Sequence, residues 1–285
     1  MKLSQTRIAI ALAILVATSS GCGVINRIRA KNQLNEAARA YREGRFEEAE
    51  QHSHEAAELD PENKTAPMFI ARTIHAQYRP GVQTPENIAK AQKAIEAYQA
   101  ILAKNPKDEE AYKAIAYLYG ATKDDAKLRQ WISSRAASET TEPEKRAEAY
   151  IVLASKDWDC SYKITELPSV KTTTVDPTNN KATVSYKKPS DQKDFDTAQM
   201  CVKQGLAEAE NAIKFDPNNE SAWSYKTNLL LEASKLAEME GKTDVKAEYQ
   251  KQYDAALKRT TELSAAAQKR KEEEEARKAA SPPKG

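Results

Sequence analysis

Residues 37–61 read AARAYREGRFEEAEQHSHEAAELDP. The stretch is rich in Ala and Glu, both strong helix formers, and it runs into Asp60-Pro61. Proline's ring fixes φ and removes the backbone donor, and it pushes the preceding residue out of the helical region. A helix therefore has to stop at about Asp60. The same signal recurs along the chain, as Leu59-Asp60-Pro61, Lys104-Asn105-Pro106, Thr141-Glu142-Pro143 and Phe215-Asp216-Pro217. Each follows a helical segment and is read as leading into a polar turn. After the last three prolines comes an alanine–aromatic pair: Ala111-Tyr112, Ala149-Tyr150 and Ala222-Trp223. Self-similarity on this scale is the signature of a repeat architecture.

The pattern resembles the tetratricopeptide repeat (TPR), a helix–turn–helix unit of about 34 residues. By that resemblance Gly44 and Phe46 sit at the turn between the two helices, Ala49 and Ala56 are the small positions where helices approach, and Pro61 closes the unit. Ala94, Tyr98 and Pro106 match in the second unit, Tyr112 and Ala116 in the third, and Ala212 and Pro217 in the last before Trp223 opens a further pair. The likeness covers roughly residues 30–263. It implies an all-α solenoid of about five helix pairs. The closing prolines are spaced 45, 37 and 74 residues apart. Against a unit of about 34 residues, the first surplus falls around Arg79-Pro80-Gly81-Val82-Gln83-Thr84, where Thr84-Pro85 reads as an N-cap followed by a proline in the first helical position. The large surplus fills residues 157–197.

Composition agrees with stacked helices. The chain has 285 residues with only 8 Gly, against roughly 20 at average usage. Charged residues make up 30%, and the formal net charge is +2. So even a balance, with no basic stripe and no interleaved aromatics, argues against nucleic-acid binding. The sequence lacks the phosphate-binding glycine loops, the G-x-S-x-G elbow and H-E-x-x-H. His52 and His54 lie two apart, on different helix faces, and so lack the i, i+4 spacing of a zinc helix. The many carboxylates read as solvated helix charges. A non-catalytic chain with no cofactor and no metal is expected.

Residues 1–21 read as an export signal. Lys2 and Arg7 precede the apolar run Ile8 to Ala17, which as a helix covers about half of a ~30 Å hydrocarbon core. Ser20-Gly21-Cys22 is similar to the bacterial lipobox, whose cysteine is acylated and becomes the mature N-terminus. Ordinary cleavage after Ser19 or Ser20 is the alternative. Gly23 stands where an inner-membrane retention signal would carry Asp, so the resemblance implies the outer membrane, facing the periplasm. Removing 1–21 takes away Lys2 and Arg7 and no acid, which leaves the mature chain formally neutral.

The 157–197 insertion holds Thr172-Thr173-Thr174-Val175 and Ala182-Thr183-Val184-Ser185-Tyr186 on either side of Asp176-Pro177-Thr178-Asn179-Asn180. β-Branched and aromatic residues around a turn cluster read as a small β-hairpin, with a flexible loop as the other reading. Cys160 and Cys201 bracket it. In an oxidising periplasm they are expected to pair and staple its base, unless both are buried thiols. Residues 264–285 form a charged helical tail ending in Ser281-Pro282-Pro283-Lys284-Gly285.

In TPR proteins the first helix of each pair lines a concave groove. Carried over position by position, that lining is Leu34, Ala38 and Tyr41, then Met68, Arg72 and His75, then Lys113 and Tyr117, then Ile151 and Trp158, and last Ser224 and Asn228. A mixed apolar, aromatic and basic lining suits an extended or helical peptide. The Lys/Asn clamp of chaperone-tail binders is missing, since Leu34 and Ala38 stand at its first two positions. Two readings follow: a lipid-anchored envelope scaffold that binds protein partners in the groove, or a carrier whose insertion contacts a non-protein ligand such as cell-wall glycan.

Overall fold

The computed structural model describes residues 3–280 as backbone, with side chains from 23 to 278. Cys22 and the 1–21 signal therefore lie outside the described side chains, as does the 281–285 end. The described residues form ten helices and one hairpin, in the order α1 (Leu3–Arg42), α2 (Phe46–Leu59), α3 (Ala66–Ala76), α4 (Pro85–Lys104), α5 (Glu109–Ala121), α6 (Asp125–Ala137), α7 (Pro143–Thr165), β1 (Lys171–Val175), β2 (Ala182–Tyr186), α8 (Gln192–Phe215), α9 (Glu220–Met239) and α10 (Thr243–Ala280). The chain is helical throughout but for that hairpin, and its helices follow one another in pairs, as the repeat pattern led us to expect. Contacts divide it into two compact units, Met1–Leu128 and Arg129–Gly285.

In unit 1, α1 packs on α2, α2 on α3, α3 on α4 and α4 on α5. Small residues carry the approach: Ala30, Ala56 and Ala66 are fully buried, with Leu34 and Leu59 packed around them. Unit 2 packs α7 on α8 and α9, α8 on α9, and α9 on α10. Its core is Phe195, Ala198, Val202, Ala233 and Leu236, with a second cluster at Ala154, Ala209 and Leu229. At Gly205 a methyl group would lie 2.7 Å from Leu229 Cδ2 and 2.9 Å from Asp157 Cβ. Glycine is what lets α8 seat against α7 and α9 there.

Three of the turns inside pairs share one geometry. Gly44, Lys123 and Gly241 have φ of +76°, +59° and +70°. In each case the left-handed residue donates to the carbonyl three back, and the next residue donates to the carbonyl five back: Gly44 to Tyr41 and Arg45 to Ala40, Lys123 to Gly120 and Asp124 to Tyr119, Gly241 to Glu238 and Lys242 to Ala237. These paired bonds satisfy carbonyls that a helix end leaves open.

Three of the turns between pairs share another. Asp60, Asn105 and Asp216 cap α2, α4 and α8 with φ/ψ of −138°/82°, −133°/85° and −139°/87°, the extended region that the following proline imposes. Each side chain bonds the residue three places on: Asn63 Nδ2 donates to Asp60 (3.3 Å), Asn105 Nδ2 to Asp108 (3.4 Å) and Asn219 Nδ2 to Asp216 (3.1 Å). Asp108 and Asn219 are the N-caps of α5 and α9, and Asn63 lies two residues before Thr65, the N-cap of α3. Asn63 accepts from the Ala66 N–H, Asp108 from Ala111 and Asn219 from Ala222. One amide meets one carboxylate every time, and in the middle turn the two have exchanged places.

Pro143 corrects the third turn read from sequence. It opens α7 as its first residue instead of leading into a turn. The insertion enters differently from the 157–197 span as well. α7 runs through Thr165 and α8 begins at Gln192, so both ends of that span lengthen helices and 166–191 is what lies between. There β1 and β2 pair antiparallel, Lys171 opposite Tyr186 and Val175 opposite Ala182. Asp176 ties the tip by accepting from Thr178 N–H (2.8 Å), Thr178 Oγ1 (2.6 Å) and Asn179 Nδ2 (2.9 Å). A Cys160–Cys201 disulfide joins α7 to α8. Closing a 41-residue loop contributes about 4 kcal/mol in the chain-entropy picture.

Candidate functional site

Unit 1 carries an open cavity of 660 Å³ lined by Tyr41 of α1, Arg72 and His75 of α3, Tyr98 of α4, and Glu109, Glu110, Lys113 and Ala114 of α5. A narrower cavity of 270 Å³ shares Tyr41, Arg72, His75 and Tyr98 and adds Tyr78, Pro80 and Tyr117. The long 77–84 connection forms the floor of that end. Asn87, on the first turn of α4, clamps it: Nδ2 donates to the carbonyls of Arg79 and Val82, and Oδ1 accepts from the Arg79 N–H, all at 2.8 Å. Thr84 caps α4 by accepting from the Asn87 N–H at 3.4 Å.

Arg72 and Glu110 form a two-pronged ion pair across successive repeats, with Nε and one terminal nitrogen each 2.5 Å from a carboxylate oxygen. Both side chains are nearly half exposed, and the bonds to Glu110 hold the Arg72 guanidinium above its ordinary pKa. His75 Nδ1 lies 3.3 Å from the Tyr98 hydroxyl. Burial lowers the His75 pKa, so the imidazole is neutral at neutral pH. Burial also pushes the Tyr98 and Tyr78 hydroxyls up, and Tyr78 Oη is buried with no hydrogen-bond partner among the described residues. His75 meets Tyr98 edge-on, with ring centres 5.9 Å apart, and Tyr117 at 5.5 Å.

Of the residues carried over from the repeat pattern, Tyr41, Arg72, His75, Lys113 and Tyr117 therefore come together around adjoining cavities. Leu34 packs against Ala30, Ala56 and Ala66, and Met68 is half-buried on α3. In unit 2, Trp158 is partly buried against Ala154, Ala209 and Leu229, with Tyr162 4.9 Å away and Tyr225 6.2 Å away. Ile151, Ser224 and Asn228 are half-buried there. The 340 Å³ cavity of unit 2 is lined instead by α8, α9 and α10 residues such as Val202, Leu206, Val245 and Tyr249. Sequence reasoning missed Tyr98, Glu110 and Tyr78 as lining. A usable signal for Glu110 is its distance of 38 residues from Arg72, close to one repeat, which sets two charges of opposite sign on neighbouring first helices.

The carboxylates are not all solvated, as the sequence suggested. Asp157 is 3% exposed and Glu232 1%. Arg129 holds Asp157 through two nitrogens, at 2.7 and 3.1 Å. Glu232 accepts from Ser161 (2.9 Å), Thr165 (2.7 Å) and Lys235 Nζ (2.6 Å). Lys235 also reaches Glu166 at 2.8 Å, and Glu166 pairs with Lys171 at the foot of β1. Glu238 accepts from the Tyr186 N–H at 3.0 Å. This network roots the hairpin on α7 and α9. Each buried charge in it has a partner, as burial demands.

No protein-family model matches the sequence, and no curated protein matches it. Among solved structures, MamA from Desulfovibrio magneticus RS-1 (residues 41 to the end) shares 13% identity over 84% of this chain and 96% of that one, with a TM-score of 0.40. A MamA RS-1 double mutant shares 14% over the same spans, with a TM-score of 0.41. The TPR2AB domain of yeast Sti1, in complex with pHSP90, shares 14% over 82% of this chain and 96% of that one, at 0.30. Superpositions this loose leave the fold assignment resting on the helix pairs and turns above. Among the described residues no helix is long and apolar enough to cross a membrane, and no cluster of three or more His, Cys, Asp or Glu is placed to hold a metal.

Proposed function

We propose that this chain is a non-catalytic scaffold of the bacterial envelope, held on the outer membrane by an acylated Cys22, facing the periplasm, and binding a segment of a partner protein in the unit 1 groove. One observation carries the binding part: side chains from α1, α3, α4 and α5 converge on an open cavity of 660 Å³ that combines aromatic faces with charges of both signs. Peptide grooves need that mixture, because apolar faces supply affinity and placed polar groups supply register. The anchoring part is supported by the short apolar run and Ser20-Gly21-Cys22. Several acyl chains, at ~0.8 kcal/mol per buried methylene, hold a protein on a bilayer where one chain does not.

The test places a photo-crosslinking phenylalanine at position 117, in the groove, and separately at position 184, on the hairpin, in the full-length membrane-bound chain. A discrete adduct from 117 that is lost in Arg72→Glu supports the groove. Adducts from 184 alone would transfer binding to the insertion and a non-groove ligand. Mass spectrometry of the mature N-terminus tests the anchor, and an unmodified Cys22 would remove it.

A further inference from the structure

The narrow end of the unit 1 groove is aromatic to an unusual degree. Tyr41, His75, Tyr78, Tyr98 and Tyr117 all line its 270 Å³, so four of the chain's 12 tyrosines meet in one place. Its one formal charge, Arg72, is already neutralised by Glu110. A carboxylate pushed into this recess would lose water and find no unpaired cation, which is costly. An aliphatic side chain would gain area alone. An aromatic ring gains area and also the offset and edge-on contacts already present between His75 and its two tyrosines. Tyr117 stands half exposed at the mouth, where an incoming ring meets it first.

The wide end differs. Lys113 lines it, is exposed, and makes no ion pair among the described residues. Glu109 and Glu110 share this lining, Glu110 being held by Arg72, so a negative group gains there only by seating directly on the exposed Lys113 ammonium. The two cavities share Tyr41, Arg72, His75 and Tyr98, so one short segment can reach both ends, and a ring and a carboxylate one or two residues apart are the shortest pair that does so.

We infer that the groove selects a peptide segment carrying an aromatic residue with Asp or Glu within two positions of it, with the ring in the Tyr41–His75–Tyr117 recess and the carboxylate on Lys113. This rests on the groove reading above and goes further by naming the chemistry that the groove recognises.

Three probes separate the two elements: N-acetyl-Phe-Glu-amide, N-acetyl-Leu-Glu-amide and N-acetyl-Phe-Lys-amide. Each is titrated into the millimolar range against the full mature chain, reading the His75 ring protons by NMR. Phe-Glu should shift them by ring current. Leu-Glu should bind about 2- to 10-fold more weakly, the worth of an aromatic pair beyond its area. Phe-Lys should bind about 2- to 5-fold more weakly, the range of an exposed ion pair. Tyr117→Ala, which removes a half-exposed ring and leaves the helix intact by circular dichroism, should abolish the Phe-over-Leu preference. Equal binding of Phe-Glu and Leu-Glu overturns the inference, as does a Phe-Glu complex that leaves His75 unmoved. If no probe binds while the crosslink from position 117 persists, the aromatic inference falls and the groove reading stands. If the crosslink is missing too, both fall.

Discussion

Exchanging the turn partners Asn105 and Asp108 should leave stability almost unchanged, while changing Asn105 alone should not. Asn105 Nδ2 donates to the Asp108 carboxylate across 3.4 Å. Asn105→Asp removes that bond, at about 1 kcal/mol, and sets two carboxylates at that separation, which costs about another 1 kcal/mol at the dielectric of water. The single substitution should therefore lower stability by about 2 kcal/mol at low salt. High salt should recover much of the repulsive half, because both groups face solvent. Asp108→Asn alone should cost about 0.5 kcal/mol, since Asn caps a helix as well as Asp does. The double exchange rebuilds the arrangement already present at Asp60-Asn63 and Asp216-Asn219, so it should fall within about 0.5 kcal/mol of wild type. Urea denaturation of all four proteins at about 0.1 M and about 1 M salt completes the cycle. A double variant no more stable than Asn105→Asp would refute the idea that these turns need one amide and one carboxylate.

Three further outcomes follow from the packing. Gly205→Ala should cost about 1–3 kcal/mol by overpacking, because the added methyl meets Leu229 and Asp157 inside 3 Å; a shift in thermal midpoint measures it. Cys160→Ser with Cys201→Ser, or reduction of the wild type, should cost about 2–4 kcal/mol by urea melt. The Glu166–Lys235 pair sets a pH window. Burial works against the Glu166 charge, but hydrogen bonds from Lys171 and Lys235 outweigh it and hold the carboxyl below its ordinary value of 4.5. Its contribution is thus full above that pH and is lost as pH falls through the depressed folded value. Burial also disfavours charged Lys235, yet its bonds to Glu166 and Glu232 carry it above 10.5, so its share persists up to that pH and is lost above the folded value. Glu166→Gln should flatten the stability profile on the acid side, and an unchanged profile would contradict the assignment.

Much of the fold was legible because proline marks helix boundaries. Proline ends helices, so Pro61, Pro106 and Pro217 marked real boundaries, and Thr84-Pro85 marked a real helix start. Pro143 misled, because proline is equally at home in the first turn of a helix and nothing local separates the two roles. Lys123 was illegible as a turn, since the left-handed position it occupies is ordinarily glycine's. The burial of Glu232 and Lys235 was hidden for another reason. An i, i+3 pair on a helix looks like a solvated face, and the groups that enclose Glu232 are Ser161 and Thr165, 71 and 67 residues away. The groove divides the same way. Register alone brought Arg72, His75, Lys113 and Tyr117 together, whereas Tyr98 and Tyr78 enter from a second helix and a connection that repeat register does not track.

The disulfide bears on how the chain is made. Three cysteines permit three pairings, and the folded protein uses one of them, Cys160 with Cys201. Cys22 is synthesised first and would meet each later thiol as it emerged from the export channel. If the lipid proposed above occupies the Cys22 sulfur, one pairing remains and no isomerase is needed to correct it. A version produced without that modification would carry a competitor for oxidation. Lipid attachment would then serve the fidelity of oxidative folding as well as the address of the finished protein.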